Sequence, residues 1–171
     1  TIIKNGTLGE SHGIYHNGAN YSIISNNNIS VTNTTSGMRI WQYSDYITLA
    51  SNNVSTTGNS VIGLVFTDVS YLNMSLNTIT TSGSSAHGIE LGFTGGGSPT
   101  NHNVFKANKI KTTSASTAYG LYLWAGVNNT FIDDNITATN SNDIRIDDGV
   151  GTLINVTFNK NDIGFETGAT G

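Results

Sequence analysis

Apolar residues recur along this chain with two superposed periods. Over four or five residues they alternate with polar ones, which marks a strand with one buried face. The alternating stretches themselves return about every 25 residues. Gly13-Ile14-Tyr15-His16, Gly37-Met38-Arg39-Ile40, Gly63-Leu64-Val65-Phe66, Gly88-Ile89-Glu90-Leu91 and Gly120-Leu121-Tyr122-Leu123 line up, followed by a glycine-less sixth copy, Asp143-Ile144-Arg145-Ile146. A fixed period in this range predicts a repeat architecture, in which each unit buries its apolar face only against its neighbours.

The first strand gives two inward columns, Ile14, Met38, Leu64, Ile89, Leu121 and Ile144, then His16, Ile40, Phe66, Leu91, Leu123 and Ile146. A second strand centres on Ile24, Leu49, Met74, Phe105, Ile132 and Phe158. Five residues after each comes the third strand, at Ile29, Val54, Ile79, Ile110 and Ile163, with the Ile132 coil one residue shorter and reaching Ile136. Asn27, Asn52, Asn77, Asn108 and Asn161 share one turn position, read as an internal ladder of asparagines that also tolerate left-handed backbone geometry. Each coil supplies roughly five inward apolar side chains, worth about 1.5–3 kcal/mol each when buried, so several coils together offset an ordering cost that one alone does not.

Three short strands per turn, stacked in parallel, describe a parallel β-helix. The run Ser/Thr-x-x-Ile-x-x-Asn-x-Ile-x resembles the repeats of the right-handed parallel β-helix superfamily that includes the pectate lyases. It is particularly similar to the carbohydrate-binding and sugar-hydrolase repeats of bacterial and archaeal surface proteins. The resemblance covers essentially the whole chain, 1–171. It implies an all-β, single-stranded right-handed solenoid of about six coils, forming one domain. Right-handedness also accords with the general bias of parallel crossovers. Because the chain starts at Thr1 and both ends are partial coils without a capping helix, the expectation is a segment of a longer chain, or a unit that stacks end to end on copies of itself.

Composition narrows the function classes. Charged residues make up 11% of the chain and the net charge is −4, so no basic surface is available for nucleic-acid phosphates. No apolar run is long enough for a membrane-spanning helix. Cysteine is absent, which excludes disulfides. Asn, Thr, Ser and Gly dominate, a composition for short strands and turns rather than helices.

The outward side of the first strand is the candidate binding surface. Arg39, Trp41, Glu90, Tyr122 and Trp124 project there: flat rings for sugar faces, and charges for hydroxyls and carboxylates. With coils rising about 4.8 Å, Arg39 and Glu90 are expected roughly 10 Å apart and Trp41 and Trp124 roughly 14 Å apart. The loop 93–101, with three glycines, is placed to overhang this face.

Ala86-His87-Gly88-Ile89-Glu90-Leu91-Gly92 resembles the His-Gly motif of the polygalacturonase family. Lys109-Ile110-Lys111 resembles its Arg-Ile-Lys motif, with Lys109 in place of Arg. However, the lysines fall on the third strand rather than on the sheet of the histidine. Arg39 and Val65 also stand where paired acids are required, with Asp45 and Asp68 displaced into the next turn. No catalytic residue is assigned.

Asp133, Asp134, Asp143, Asp147 and Asp148 offer oxygen density that suits Ca²⁺, but they read as turn sequences on different sides of the coil, so no metal or cofactor is assigned. His12 and His16 stand four residues apart in a non-helical stretch, and His16 reads as a core histidine.

Asn-x-Ser/Thr sequons at Asn28, Asn53 and Asn135 fall in exposed turns, where glycan attachment is sterically easy. These readings converge on a non-enzymatic extracellular or cell-surface scaffold, coat or filament protein, open to glycosylation. The alternative is a polysaccharide-binding or polysaccharide-degrading β-helix (a lyase, a hydrolase or a tailspike-like protein). The partners are accordingly neighbouring copies or a polysaccharide.

Overall fold

The computed structural model describes residues 1–5, 11–92, 100–113, 117–139, 141–147 and 153–165. These form a parallel β-solenoid with three sheets along its length and, among the described residues, no helix. The first sheet has six strands, His12–Asn17, Ser36–Trp41, Ile62–Thr67, Ile89–Leu91, Leu121–Leu123 and Ile144–Ile146. The second also has six: Ile23–Ser25, Thr48–Ala50, Asn73–Ser75, Val104–Lys106, Thr130–Ile132 and Thr157–Asn159. The third has seven, Ile2–Asn5, Asn28–Thr32, Asn53–Thr57, Thr78–Ser82, Lys109–Thr113, Asn135–Thr139 and Asp162–Phe165. A small parallel pair, Gly126–Val127 with Leu153–Ile154, sits beside them.

The register follows the hydrophobic columns. Ile14 pairs with Met38, Met38 with Leu64, Leu64 with Ile89, Ile89 with Leu121 and Leu121 with Ile144. A slip of one residue would turn every buried side chain outward, so the alternation itself fixes this register. The core is continuous from coil to coil, with Met38, Ile40, Leu49, Leu64, Phe66, Met74, Ile79, Leu91 and Phe105 fully enclosed.

The glycine that opens each first strand has a steric cause. A Cβ on Gly88 would lie 2.5 Å from the carbonyl oxygen of Gly120 and 2.5 Å from a methyl of Ile110 on the third strand. Gly13, Gly37, Gly63 and Gly120 meet the same two obstacles, a carbonyl of the next coil and a branched side chain of the third sheet. In the last of these cases the carbonyl belongs to Asp143, at the coil that has no glycine of its own.

Two expectations need correction in the second strand and the turn that follows. Phe131, not Ile132, holds the inward position: it pairs with Phe105 and Phe158 and stacks on them, with ring centroids 4.5 and 4.9 Å apart. Counting from Phe131 restores the spacing of five to Ile136, so this coil is not short. The second correction concerns the turn. The left-handed residues are Asn26, Ser51, Leu76, Ala107, Asp133 and Lys160, each one position before the ladder rung, and the rungs themselves are not left-handed.

Candidate functional site

The outward face of the first sheet brings the sequence-predicted residues into register. Arg39 pairs with Val65, Val65 with Glu90, Glu90 with Tyr122 and Tyr122 with Arg145, so Arg39 and Glu90 lie two coils apart across Val65. Trp41 pairs with Thr67 two positions further along its strand, and Trp124 stands at the equivalent position of the coil that carries Tyr122.

This face is less open than alternation alone implies. Arg39, Glu90 and Tyr122 are only 7%, 8% and 7% exposed, and Val65 is 5% exposed. Trp41 and Trp124 are half-buried. Alternation reports the side of a sheet to which a residue points and leaves open what lies against that side. The loop 93–99 expected to overhang this face lies outside the described residues.

The groups are largely engaged with one another. The Arg39 guanidinium lies over the Trp41 ring, 4.3 Å from its centroid, an arrangement favoured by the negative face of the indole. Tyr122 packs on Trp124 with centroids 4.5 Å apart, and its hydroxyl donates to Oδ2 of Asp147 at 3.3 Å. Arg145 donates to the Tyr119 hydroxyl at 2.8 Å and to Asp147 at 3.0 Å. Its guanidinium stands over the rings of Tyr119 and Tyr122.

His87 lies in the turn before its strand, stacked on Tyr119 at 5.0 Å, and its Nδ1 accepts the Tyr119 backbone N–H at 3.0 Å. That bond fixes the neutral tautomer with its proton on Nε2.

Burial governs the titration of this cluster. It pushes the Glu90 carboxyl up to about 7, with the Arg39 charge acting in the opposite direction. It pushes His87 down to about 4, and the Arg145 charge adds to that effect. A carboxyl that is part protonated near neutrality, paired with Tyr122 on the next strand and two coils from the Arg39 charge, has the chemistry of a hydrogen-bond donor or a general acid.

The remaining candidates are scattered. Lys109 and Lys111 lie on the third sheet, not on the first sheet that His87 leads into. Asp134 and Asp143 are buried and Asp133 is exposed in the turn after the second strand. Asp148 lies outside the described residues. Among the described residues no group of three His, Cys, Asp or Glu side chains is placed to hold a metal ion. His16 is half-buried, its Nδ1 lies within hydrogen-bond distance of Ser44 Oγ at 3.2 Å, and burial lowers its pKa.

The three sequon asparagines Asn28, Asn53 and Asn135 share one column at the start of the third strand. Asn28 and Asn53 are exposed and Asn135 is half-buried. Asn53 Nδ2 donates to Asn28 Oδ1 at 3.1 Å, and Asn135 Nδ2 donates to Asp162 at 3.1 Å.

One surface feature escaped the sequence reading. Tyr21, Tyr46, Tyr71 and His102 form an outer stack, with centroids 4.9, 4.8 and 5.2 Å apart and planes within 8° of parallel. All four are left-handed turn residues three positions before an inward residue of the second strand. That fixed offset was the available signal. Because the rings cover one another's faces, this ridge presents edges and hydroxyls rather than flat platforms.

No protein-family model matches the chain, and no curated protein matches it significantly. Among the described residues no helix is long and apolar enough to cross a membrane.

Proposed function

We propose that the chain is a non-enzymatic scaffold segment of an extracellular or cell-surface protein, built as a right-handed β-helix of the pectate-lyase-like type. The observation that carries this reading is the burial of Arg39, Glu90 and Tyr122, whose polar and aromatic groups pack into the solenoid wall rather than facing solvent. Rungs of asparagine and stacks of rings serve the same end, because each column bonds a coil to the next. Its partners on this reading are further β-helix coils, supplied by neighbouring copies that pair in the same register. Exposed sequons at Asn28 and Asn53 are consistent with a glycosylated surface protein.

The intact mass of native material, before and after glycan removal, tests the reading. A mass that falls on deglycosylation is expected. An unmodified monomer that releases sugar products from a polysaccharide contradicts it.

Polysaccharide recognition by Arg39, Trp41, Glu90, Tyr122 and Trp124 is the second reading, favoured by the Glu90 carboxyl that burial pushes up to about 7 on the face it shares with Arg39. A panel of acidic and neutral polysaccharides, followed by tryptophan fluorescence, separates the two. A saturable change would favour recognition, and its absence across the panel would favour the scaffold.

A further inference from the structure

The inner ladder has a repeating donor and acceptor pattern. Oδ1 of Asn52 accepts the backbone N–H and the side-chain amide of Asn27, both at 3.0 Å. Asn52 in turn donates its own N–H and Nδ2 to Oδ1 of Asn77, at 2.9 and 3.0 Å, and Nδ2 also to the carbonyl of Ile24 at 2.8 Å. Asn77 repeats this toward Asn108 at 3.0 and 3.0 Å, with Leu49 as its carbonyl acceptor. Every rung therefore needs one oxygen that accepts and one side-chain group that donates.

The rung after Asn108 is Asp134. Its Oδ1 accepts the N–H and Nδ2 of Asn108 at 2.7 and 2.9 Å, and its own N–H donates to Oδ1 of Asn161 at 2.7 Å. Oδ2 therefore stands where the other rungs carry Nδ2. There the ladder supplies acceptors, Oδ1 of Asn161 and, by register, the carbonyl of Phe105; the backbone N–H of Ile132 also acts on this carboxyl but makes no hydrogen bond to Oδ2. The residue is 1% exposed, and Oδ2 is buried without a hydrogen bond to a donor. An ionised carboxylate in this place would hold a buried charge against two further acceptors.

We propose that Asp134 is a protonated rung: a neutral carboxylic acid whose Oδ2–H supplies the missing donor, and whose ionisation as pH rises loosens the attachment of the last described coil. Burial pushes this carboxyl above the usual range, the bonds from Asn108 and Ile132 act in the opposite direction, and the neighbouring Asp133 charge adds to the rise. The other charged groups of the stacked turns are Lys106 and Lys109 on one side and Lys160 and Asp162 on the other, all exposed and therefore screened by water. Because each coil of a solenoid touches only its neighbours, the effect falls on the junction between the Asp134 coil and the coil of Asn161.

The sign follows from linkage. Between the unfolded-state value of about 3.9 and the higher folded-state value, the folded protein binds more protons than the unfolded chain. Stability from this group is complete below that lower value and is lost as pH rises through the folded pKa. Across that window the unfolding constant rises about tenfold per pH unit from this group alone.

Urea unfolding of the parent and of Asp134→Asn between pH 4 and 9 isolates it, since other titrating groups cancel in the comparison. The two proteins are expected to be close at pH 4 and to diverge as pH rises, with Asp134→Asn the more stable. Parallel pH profiles would overturn the proposal. A direct readout needs no variant: the assigned side-chain carboxyl carbon of Asp134 in the parent should keep its protonated NMR shift after the exposed aspartates have titrated. Titration together with them near pH 4 would also overturn it.

Discussion

The guanidinium of Arg39 sits 4.3 Å from the centroid of the Trp41 ring, with 93% of the arginine withdrawn from water. A desolvated pair of this kind binds the charge to the wall of the solenoid, because the ring face replaces part of its lost hydration. Trp41→Ala should therefore destabilise the fold by about 1–2 kcal/mol. Chemical denaturation measures this directly, and an unchanged midpoint would mean that the ring does not support Arg39.

Gly88 and Gly120 stand in the same relation along the axis, one backbone filling the space where the other's side chain would begin. Gly88→Ala forces the next coil or Ile110 to move and should cost about 2–3 kcal/mol or more. Thermal unfolding would show it as a lowered Tm. A neutral result would show that the coils can shift apart locally.

Glu90 and His87 give the stability curve opposing slopes. The folded pKa of Glu90 is raised to about 7, so its contribution is full below about 4.3 and is lost as pH rises toward 7. His87 is lowered to about 4, so its contribution is full above about 6.5 and is lost as pH falls toward 4. Glu90→Gln removes the first slope, and the variant should gain stability over the parent as pH rises from 5 to 7. The difference between the two denaturation profiles, rather than either alone, is the measurement. A pH-independent difference would place the Glu90 pKa near its ordinary value.

Asn28 and Asn53 occupy successive rungs of one column, linked by a 3.1 Å hydrogen bond. Strands pair about 4.8 Å apart, which leaves no room for two glycans side by side. Glycopeptide mass spectrometry should find either site occupied but not both on one molecule. Full occupancy of both would require this pair of strands to separate.

Much of this architecture is legible in the sequence because a solenoid repeats its constraints. The inward columns from Ile14 to Ile144 and from Ile40 to Leu123 recur at every coil, and alternation is enough to place them. The slip at Ile132 arose where two apolar residues, Phe131 and Ile132, adjoin and period two cannot choose between them. Admitting Asp134 as a ladder rung would have chosen Phe131, but a buried aspartate is an improbable asparagine substitute unless it is protonated. The buried state of Arg39, Glu90 and Tyr122 is not legible, since alternation gives the side of the sheet and not what lies against it, such as the Trp41 ring under Arg39 and Trp124 against Tyr122. The outer tyrosine stack was within reach of the pattern, as Tyr21, Tyr46 and Tyr71 keep a constant offset from Ile24, Leu49 and Met74.

Trp124→Ala decides whether the first-sheet face is packing or a ligand surface when stability and polysaccharide affinity are measured on the same preparation. The scaffold reading predicts a lowered unfolding midpoint, from loss of the Tyr122 contact, and no polysaccharide affinity in the parent to lose. An unchanged midpoint together with the loss of a measurable affinity would contradict it.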